Sequence, residues 1–249
     1  MTPIRILCPS AGPTAGPAGP DTAASPPDIL LLPGRAALLP VSRTLLVADL
    51  HLGKAATFRR AGIPVPEGSA QRDLDRLARL VRDHAVRRLV VLGDLFHARG
   101  GCTPQVFAEF ADLRAGLGGT AVILVLGNHD RAIGRLPASL GIDACLPCLD
   151  EPPFHFVHEP ATAVAGPGRD LYTVAGHLHP TVSIRGRGAD RFADRCFVAE
   201  PSLLVLPAFG SFTGGHRIAP ATGMRLWIAR DDGVLEVTRL ATARRRGPR

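Results

Sequence analysis

Lysine and asparagine are nearly missing from this chain. Of 29 basic residues in 249, only Lys54 is a lysine, and Asn128 is the one asparagine. An excess of Ala, Gly, Pro and Arg takes their place and looks like a biased genome, so a residue type kept once is read as required where it stands. Long apolar runs are missing too. No stretch approaches the roughly 20 residues a helix needs to cross a bilayer, and the N-terminus lacks a charged segment followed by an apolar one. The expectation is a cytoplasmic protein without membrane association. Cysteine is sparse: Cys8, Cys102, Cys145, Cys148 and Cys196 form an odd, scattered set unlike a secreted disulfide framework. Cys145-Leu-Pro-Cys148 has C-x-x-C spacing, but one such pair without a second is read as two reduced thiols in a loop.

What the chain does have is a 46% hydrophobic content, enough for a substantial core in one domain. Residues 1–27 are rich in Pro, Gly, Ala and Ser without periodicity and are expected to be disordered, because they bury too little apolar surface to offset ordering entropy. The domain is expected to span 28–240, with 241–249 as a basic tail containing Arg244, Arg245 and Arg246. The formal charge of +7 favours polyanionic partners such as nucleic acid, although compositional Arg enrichment weakens that inference.

The chain is organised around Thr120–Asp130. Val122 to Leu126 read as a strand buried on both faces, since a half-exposed strand would alternate with polar residues. The run stops on Gly127-Asn128-His129-Asp130, which places polar groups at a strand's C-terminal end, where ligands bind in open α/β sheets. The pattern recurs. A strand over Thr44–Ala48 ends in Asp49-Leu50-His51, and residues two apart on extended chain share one side, so the carboxylate and imidazole can hold one ion. Arg88–Leu92 ends in Gly93-Asp94, Phe154–Val157 in His158, and Leu171–Ala175 in Gly176-His177-Leu178-His179. Ser69–His84 reads as a helix capped by Ser69, with Leu74, Leu77, Leu80 and Val81 on one face, and Thr103-Pro104 cap a second helix. Strands alternating with helices over 44–126 imply parallel neighbours with right-handed crossovers, which brings Asp49, Asp94 and Asn128 to one sheet edge.

Gly53–Gly68 reads as a loop or broken helix over this edge. Its Lys54, Arg59 and Arg60 are either contacts to substrate phosphates or a solvated basic loop, and the two readings are about even. His97 reads as an outer contact or a surface histidine. Residues 131–153 read as a short connection of one helix turn and loop. Cys196–Val198, Leu203–Leu206, Met224–Ala229 and Val234–Leu240 read as further strands, with a glycine-rich loop over 206–215.

Asp49, His51, Asp94, Asn128, His158, His177 and His179 supply mixed oxygen and nitrogen ligands for two divalent ions, with Asp94 the natural bridge. Two ions suit phosphoester hydrolysis: they clamp the phosphate, lower the pKa of a bound water and offset charge on the leaving oxygen. His129 is then placed to contact phosphate or protonate the leaving group. Asp130 is expected to orient His129 or a ligand imidazole.

The order D-x-H, GD, GNHD, H, GHxH over about 44–179 resembles the calcineurin-like metallophosphoesterase superfamily. The resemblance implies an α/β sandwich of two mixed β-sheets flanked by helices. It assigns Asp49, His51, Asp94 and His179 to one metal, Asp94, Asn128, His158 and His177 to the other, and catalysis to His129. Many relatives carry another acidic residue soon after GD; here the run is GDLFHAR. The strings DLHLGKAATFRRAGIPVPEG, LGDLFHAR, VAGHLHPTV and LPAFGSFTGG are similar to the ligase-associated DNA damage response endonuclease branch. That similarity implies a Mn-dependent phosphodiesterase, with Fe or Zn as alternative ions, that nicks DNA, expected to be single-stranded. It also implies a homodimer acting with a DNA ligase, helicase and exonuclease. Only 27 residues separate Asp130 from His158, too few for a helical lid, which favours a polymer but leaves open a phosphodiesterase or phosphatase for nucleotides or other small phosphoesters.

Overall fold

Strands apolar on both faces must be covered on both sides, and the layers follow from that requirement. The computed structural model describes residues 3–7, 28–65, 68–160, 171–185 and 191–242. The first sheet runs in chain order through β1 (Ile4–Leu7), β2 (Asp28–Leu32), β3 (Ala36–Leu39), β4 (Thr44–Val47), β5 (Arg88–Leu92), β6 (Ala121–Val125) and β7 (Ala144–Leu146). Neighbours are antiparallel from β1 to β4 and parallel from β4 to β7. The parallel connections pass through helices α1 (Lys54–Arg60), α2 (Ser69–Asp83) and α3 (Pro104–Gly116).

Alternation along the strands sorts the core. Leu45, Val47, Leu89, Val91, Val122 and Leu124 pack on Leu74, Leu77 and Val81 of α2 and Val106, Phe110 and Leu113 of α3. Their neighbours Leu46, Val90, Leu92 and Val125 turn the other way and meet Phe156, Val174, Phe197, Leu204 and Trp227 of the second sheet. Thr103 caps α3 as expected, its hydroxyl accepting from the Val106 amide at 3.3 Å. At α2 the cap is Gly68 in the left-handed region, and Ser69 is the first helical residue instead.

The second sheet contains β8 (Leu149–Glu151), β9 (Phe154–Phe156), β10 (Tyr172–Ala175), β11 (Pro180–Arg185), β12 (Arg191–Glu200), β13 (Leu203–Val205), β14 (His216–Arg217), β15 (Arg225–Ala229) and β16 (Val234–Glu236). Its order is β14-β11-β12-β13-β10-β9-β8, with β15 on β12 and β16 on β15. It is mixed: β9, β10 and β13 are parallel neighbours, whereas β12 pairs antiparallel with β11, β13 and β15. Its outer face is covered by Val237 and Ala241 at α5 (Thr238–Thr242). The architecture is the expected two-sheet α/β sandwich with flanking helices.

Three expectations change. Residues 131–153 hold more than a turn: helix α4 (Asn128–Ile133), a 3-10 turn at Ala138–Leu140, and strands β7 and β8. Val234–Leu240 is not one strand. The Thr238 hydroxyl takes the Leu226 amide at 2.9 Å, and the chain turns into α5, which crosses the expected domain boundary at 240. Within the segment expected to be disordered, Ile4–Leu7 pairs antiparallel with β2, and Ile6 is buried among the residues between the sheets. Four residues suffice there because an existing edge supplies the partner; the surrounding proline and glycine hid the strand. Residues 8–27 and the arginines 244–246 lie outside the described residues. No described helix is long and apolar enough to cross a membrane.

The edge strand is testable. Ile6→Ala is expected to lower unfolding free energy by about 2 kcal/mol, as for a buried aliphatic truncation, measured by urea denaturation. No change would return the segment to disorder.

Candidate metal centre

The polar groups that end the strands do not continue them. Asp49, His51, Asp94, His177 and His179 have φ of 57°, 50°, 52°, 69° and 46°. The sequence pattern predicts Asp49 and His51, and likewise His177 and His179, on extended chain. The structure instead turns each through the left-handed region, at a cost of about 1–3 kcal/mol per residue. Cross-bonded loops hold these conformations. The Asp49 amide donates to Gly93 O at 3.1 Å, His51 to Asp94 O at 2.9 Å, and Gly176 to His158 O at 3.0 Å. From the far side, Phe209 and Gly210 donate to the carbonyls of Ala48 and Asp49 at 2.8 and 3.1 Å.

The carboxylates are aimed by backbone amides. Asp49 accepts from the His177 amide at 3.0 Å, and Asp94 Oδ1 accepts from the His129 amide at 3.0 Å. Close approach demands glycine at two positions. A Cβ on Gly93, whose φ is 79°, would overlap the His158 ring, and one on Gly127 would overlap the Asp94 carboxylate.

Two sets of donors result. In the first, His179 Nε2 lies 3.2 Å from Asp49 Oδ1 and 3.1 Å from His51 Nε2, which is 3.8 Å from Asp94 Oδ2. In the second, His158 Nε2 lies 3.4 Å from the same Asp94 Oδ2, 3.1 Å from Asn128 Oδ1 and 3.1 Å from His177 Nδ1. Asp94 Oδ2 is therefore common to both. Donors held about 2.1 Å from one ion and a right angle apart stand about 3.0 Å from each other, close to the spacings seen.

Proton bookkeeping supports the fit. His158 Nδ1 donates to Leu92 O at 2.9 Å, which turns Nε2 toward Asp94 and Asn128; burial opposes a charge on this ring, but the Asp94 and Asp49 carboxylates outweigh it and raise its pKa. His51 faces His97 Nδ1 to Nδ1 at 3.3 Å, and with the shared proton on His51 its Nε2 is bare toward His179 and Asp94. Burial first of all keeps both rings neutral, with His51 pushed down to about 3 and His97 to about 4. Donors converging in this way repel unless a proton or a metal cation lies among them. The two sets can hold divalent ions, and their mixed N and O character suits transition metals.

His129 stands at the open side of this arrangement. Its Nδ1 donates to the His97 carbonyl, its Nε2 is 3.9 Å from Asp94 Oδ2, and its side chain is 35% exposed. The His97 ring stacks on it with centroids 4.9 Å apart, so His97 belongs to the site's rim and is not a remote surface residue. Lys54, at the start of α1, is close enough to the His51 and His97 rings to lower their basicity. Arg59 lines a cleft of about 510 Å³ beside His51. Arg60 turns to the carbonyl of Gly100 at 2.7 Å and braces α1.

Asp130 departs from expectation. Its carboxylate does not reach His129 or a ligand ring; it accepts the amides of Gly127, Phe96 and Leu95 at 3.1, 3.2 and 3.4 Å, tying the loop after β5 to the loop after β6. The sequence reading also missed Asp73, buried in α2. It accepts the Ser211 amide and hydroxyl at 2.6 and 2.9 Å, and Arg76 beside it donates to Phe209 O at 2.5 Å. An acidic residue next to Leu74 on the helix's inward side was the available signal.

Comparisons with known proteins fit this geometry. A family model described as calcineurin-like phosphoesterase matches residues 42–203. Pseudomonas putida nuclease MPE is 38% identical, with 84% of this chain and 95% of that chain covered and a TM-score of 0.69. Looser matches, each with a TM-score of 0.38, are a protein of unknown function from Aquifex aeolicus and the E. coli phosphoesterase Yfce. The first is 17% identical and covers 55% of this chain and 78% of its own; the second is 16% identical and covers 77% and 90%. No curated protein matches the chain.

Asp130→Ala is expected to lower unfolding free energy by about 3 kcal/mol or more, because buried amides lose a charged acceptor. Divalent-ion affinity should fall by about 10- to 100-fold, with Asp130→Asn recovering only part. Urea denaturation and calorimetric Mn²⁺ titration check this; a loss under about 1 kcal/mol with unchanged ion affinity overturns the bracing role.

Proposed function

Since the chain belongs to the calcineurin-like phosphoesterases and is a metal-dependent phosphoesterase, we propose that it is a Mn-dependent endonuclease acting on single-stranded DNA. The observation that carries the reading is the pair of donor sets sharing Asp94 Oδ2 and opening to solvent past His129. Likeness to a nuclease over most of the chain supports the nucleic-acid substrate. So does the linker between Asp130 and His158, which folds into a 3-10 turn and the short strands β7 to β9 instead of a helical lid.

Asp49, His51, Asp94 and His179 would hold one ion, and Asp94, Asn128, His158 and His177 the other. Two divalent ions supply Lewis acidity toward the phosphoryl oxygens and acidify a water nucleophile. No nucleophilic side chain is then required. His129 does the remaining proton work. Its Nδ1–H is pinned to the His97 carbonyl, so Nε2 faces the open side; with a second proton on Nε2 the ring would donate to a phosphoryl oxygen or give that proton to the leaving oxygen, ending as the neutral imidazole. Lys54 and Arg59 take flanking phosphates; Arg60 acts by fixing α1.

The motif resemblance favours manganese, and the mixed carboxylate, amide and imidazole set fits Fe or Zn as well. The motif resemblance supports a cytoplasmic repair setting, with a DNA ligase, helicase and exonuclease as functional partners and a homodimer as the assembly.

Incubation with circular single-stranded DNA tests the proposal. Mn²⁺ should produce linear product and EDTA should prevent it. Asp94→Ala should reduce cleavage at least about a thousandfold, since it removes a ligand of both ions. Substantial residual activity sinks the bridging role. Intact circles from protein that still hydrolyses a small diester would move the substrate to a nucleotide or another small phosphoester.

A further inference from the structure

Two phenylalanines at the rim of the metal centre are not accounted for by core packing. Phe58 projects from α1, a helix with no buried residue, and meets Phe212 of the 206–215 loop edge to face at 5.5 Å. Neither ring belongs to an apolar core, and both are half-buried. The chain is poor in aromatic residues, at 5%. The pair continues the wall of the site: the Phe58 ring lies 6.5 Å from His97, which stacks on His129. Phe212 shares the 510 Å³ cleft with His51, Lys54 and Arg59, a volume in the range of small-molecule sites.

The helix is held without these rings. The Thr57 hydroxyl donates to Gly53 O at 3.2 Å and Arg60 to Gly100 O at 2.7 Å. Two half-exposed rings, a lysine and an arginine beside a phosphoester centre match the chemistry of an unpaired nucleotide: a base with two π faces joined to an anionic backbone. A base inside a duplex is already stacked on its neighbours and cannot reach such rings.

We propose that Phe58 and Phe212 form a stacking platform for one unpaired base adjoining the scissile phosphodiester, with Lys54 and Arg59 receiving the phosphates on either side. This rests on the nuclease reading and deepens it, since the platform makes the site select single strands. Stacking of one base on an aromatic side chain corresponds to roughly 5- to 150-fold in kcat/KM.

The test uses the Mn²⁺-loaded protein and an oligonucleotide in which all linkages but one are blocked, with a normal or an abasic nucleotide flanking the open linkage. Phe58→Ala and Phe212→Ala are each expected to slow cleavage of the normal strand within that range. Removing the base should slow the natural protein similarly, and combining the two changes should cost no more than either alone. Phe58→Trp should restore base-dependent cleavage. Equal slowing of normal and abasic strands by the alanine variants would assign the rings to holding α1 and overturn the platform, as would a natural protein indifferent to the base. If the natural protein cleaves neither strand yet hydrolyses a small diester, the nuclease reading itself fails.

Discussion

Carboxylate oxygens and imidazole nitrogens repel one another unless a proton or a metal cation lies between them, and this structure holds them 3.2 to 3.8 Å apart. Everything nearby serves that constraint. Five of the seven donors sit on left-handed residues at the ends of strands packed on both faces, so the backbone cannot slide away to relieve the repulsion. The loops are bonded to each other: after β4 to the loop after β5, after β5 to the loop after β6 through Asp130, and after β10 to His158. The strain is thus distributed over a rigid frame, and a bound cation would convert the repulsion into attraction.

Much of this was legible in the sequence for a simple physical reason. A parallel strand covered by helices on one side and a sheet on the other is apolar throughout, so the first polar residue after it marks the sheet's C-terminal edge. Val47 followed by Ala48 and Asp49, Leu92 by Gly93 and Asp94, and Ala175 by Gly176 and His177 all carry that signature. Alternation does not reveal φ, however, so Asp49 and His51 were placed on extended chain although each turns inward separately. Short edge strands escaped because pairing, not propensity, creates them: Ile4–Leu7 and the β7–β8 region become strands only beside an existing partner. Bracing carboxylates escaped as well. Asp130 next to His129 suggests an imidazole partner, and only the folded loops show that amides from two segments reach it first.

A second polar junction connects the helical layer to the site. Asp73 and Arg76 of α2 grip Ser211 and the Phe209 carbonyl, while Arg195 of β12 donates to the carbonyls of Ser211 at 2.9 Å and Thr213 at 3.1 Å. The loop so fixed also donates to the carbonyls of Ala48 and Asp49 and presents Phe212 to the cleft. One loop thereby sets both the first donor set and the aromatic rim, and the geometry of the ions and of a bound base cannot drift independently.

The charge of +7 overstates the positive surface open to a polyanion. Several arginines are committed within the fold: Arg88 to Glu151 at 2.5 Å, Arg114 to Asp143 at 3.4 Å, Arg131 to Glu159 at 2.7 Å and Arg225 to Glu236 at 2.9 Å. Such pairs neutralise field lines that would otherwise extend toward a ligand. Among the described residues, Lys54 and Arg59 have no ion-pair partner and lie along the cleft beside His51. Lys54 and Arg59 bring positive charge to the cleft beside the donors, in addition to exposed arginines elsewhere such as Arg72, Arg79 and Arg87. Such charges attract a polyanion over a long range, and the pose of a flexible strand over the metal centre would be set by short-range groups, the rim histidines and the aromatic pair.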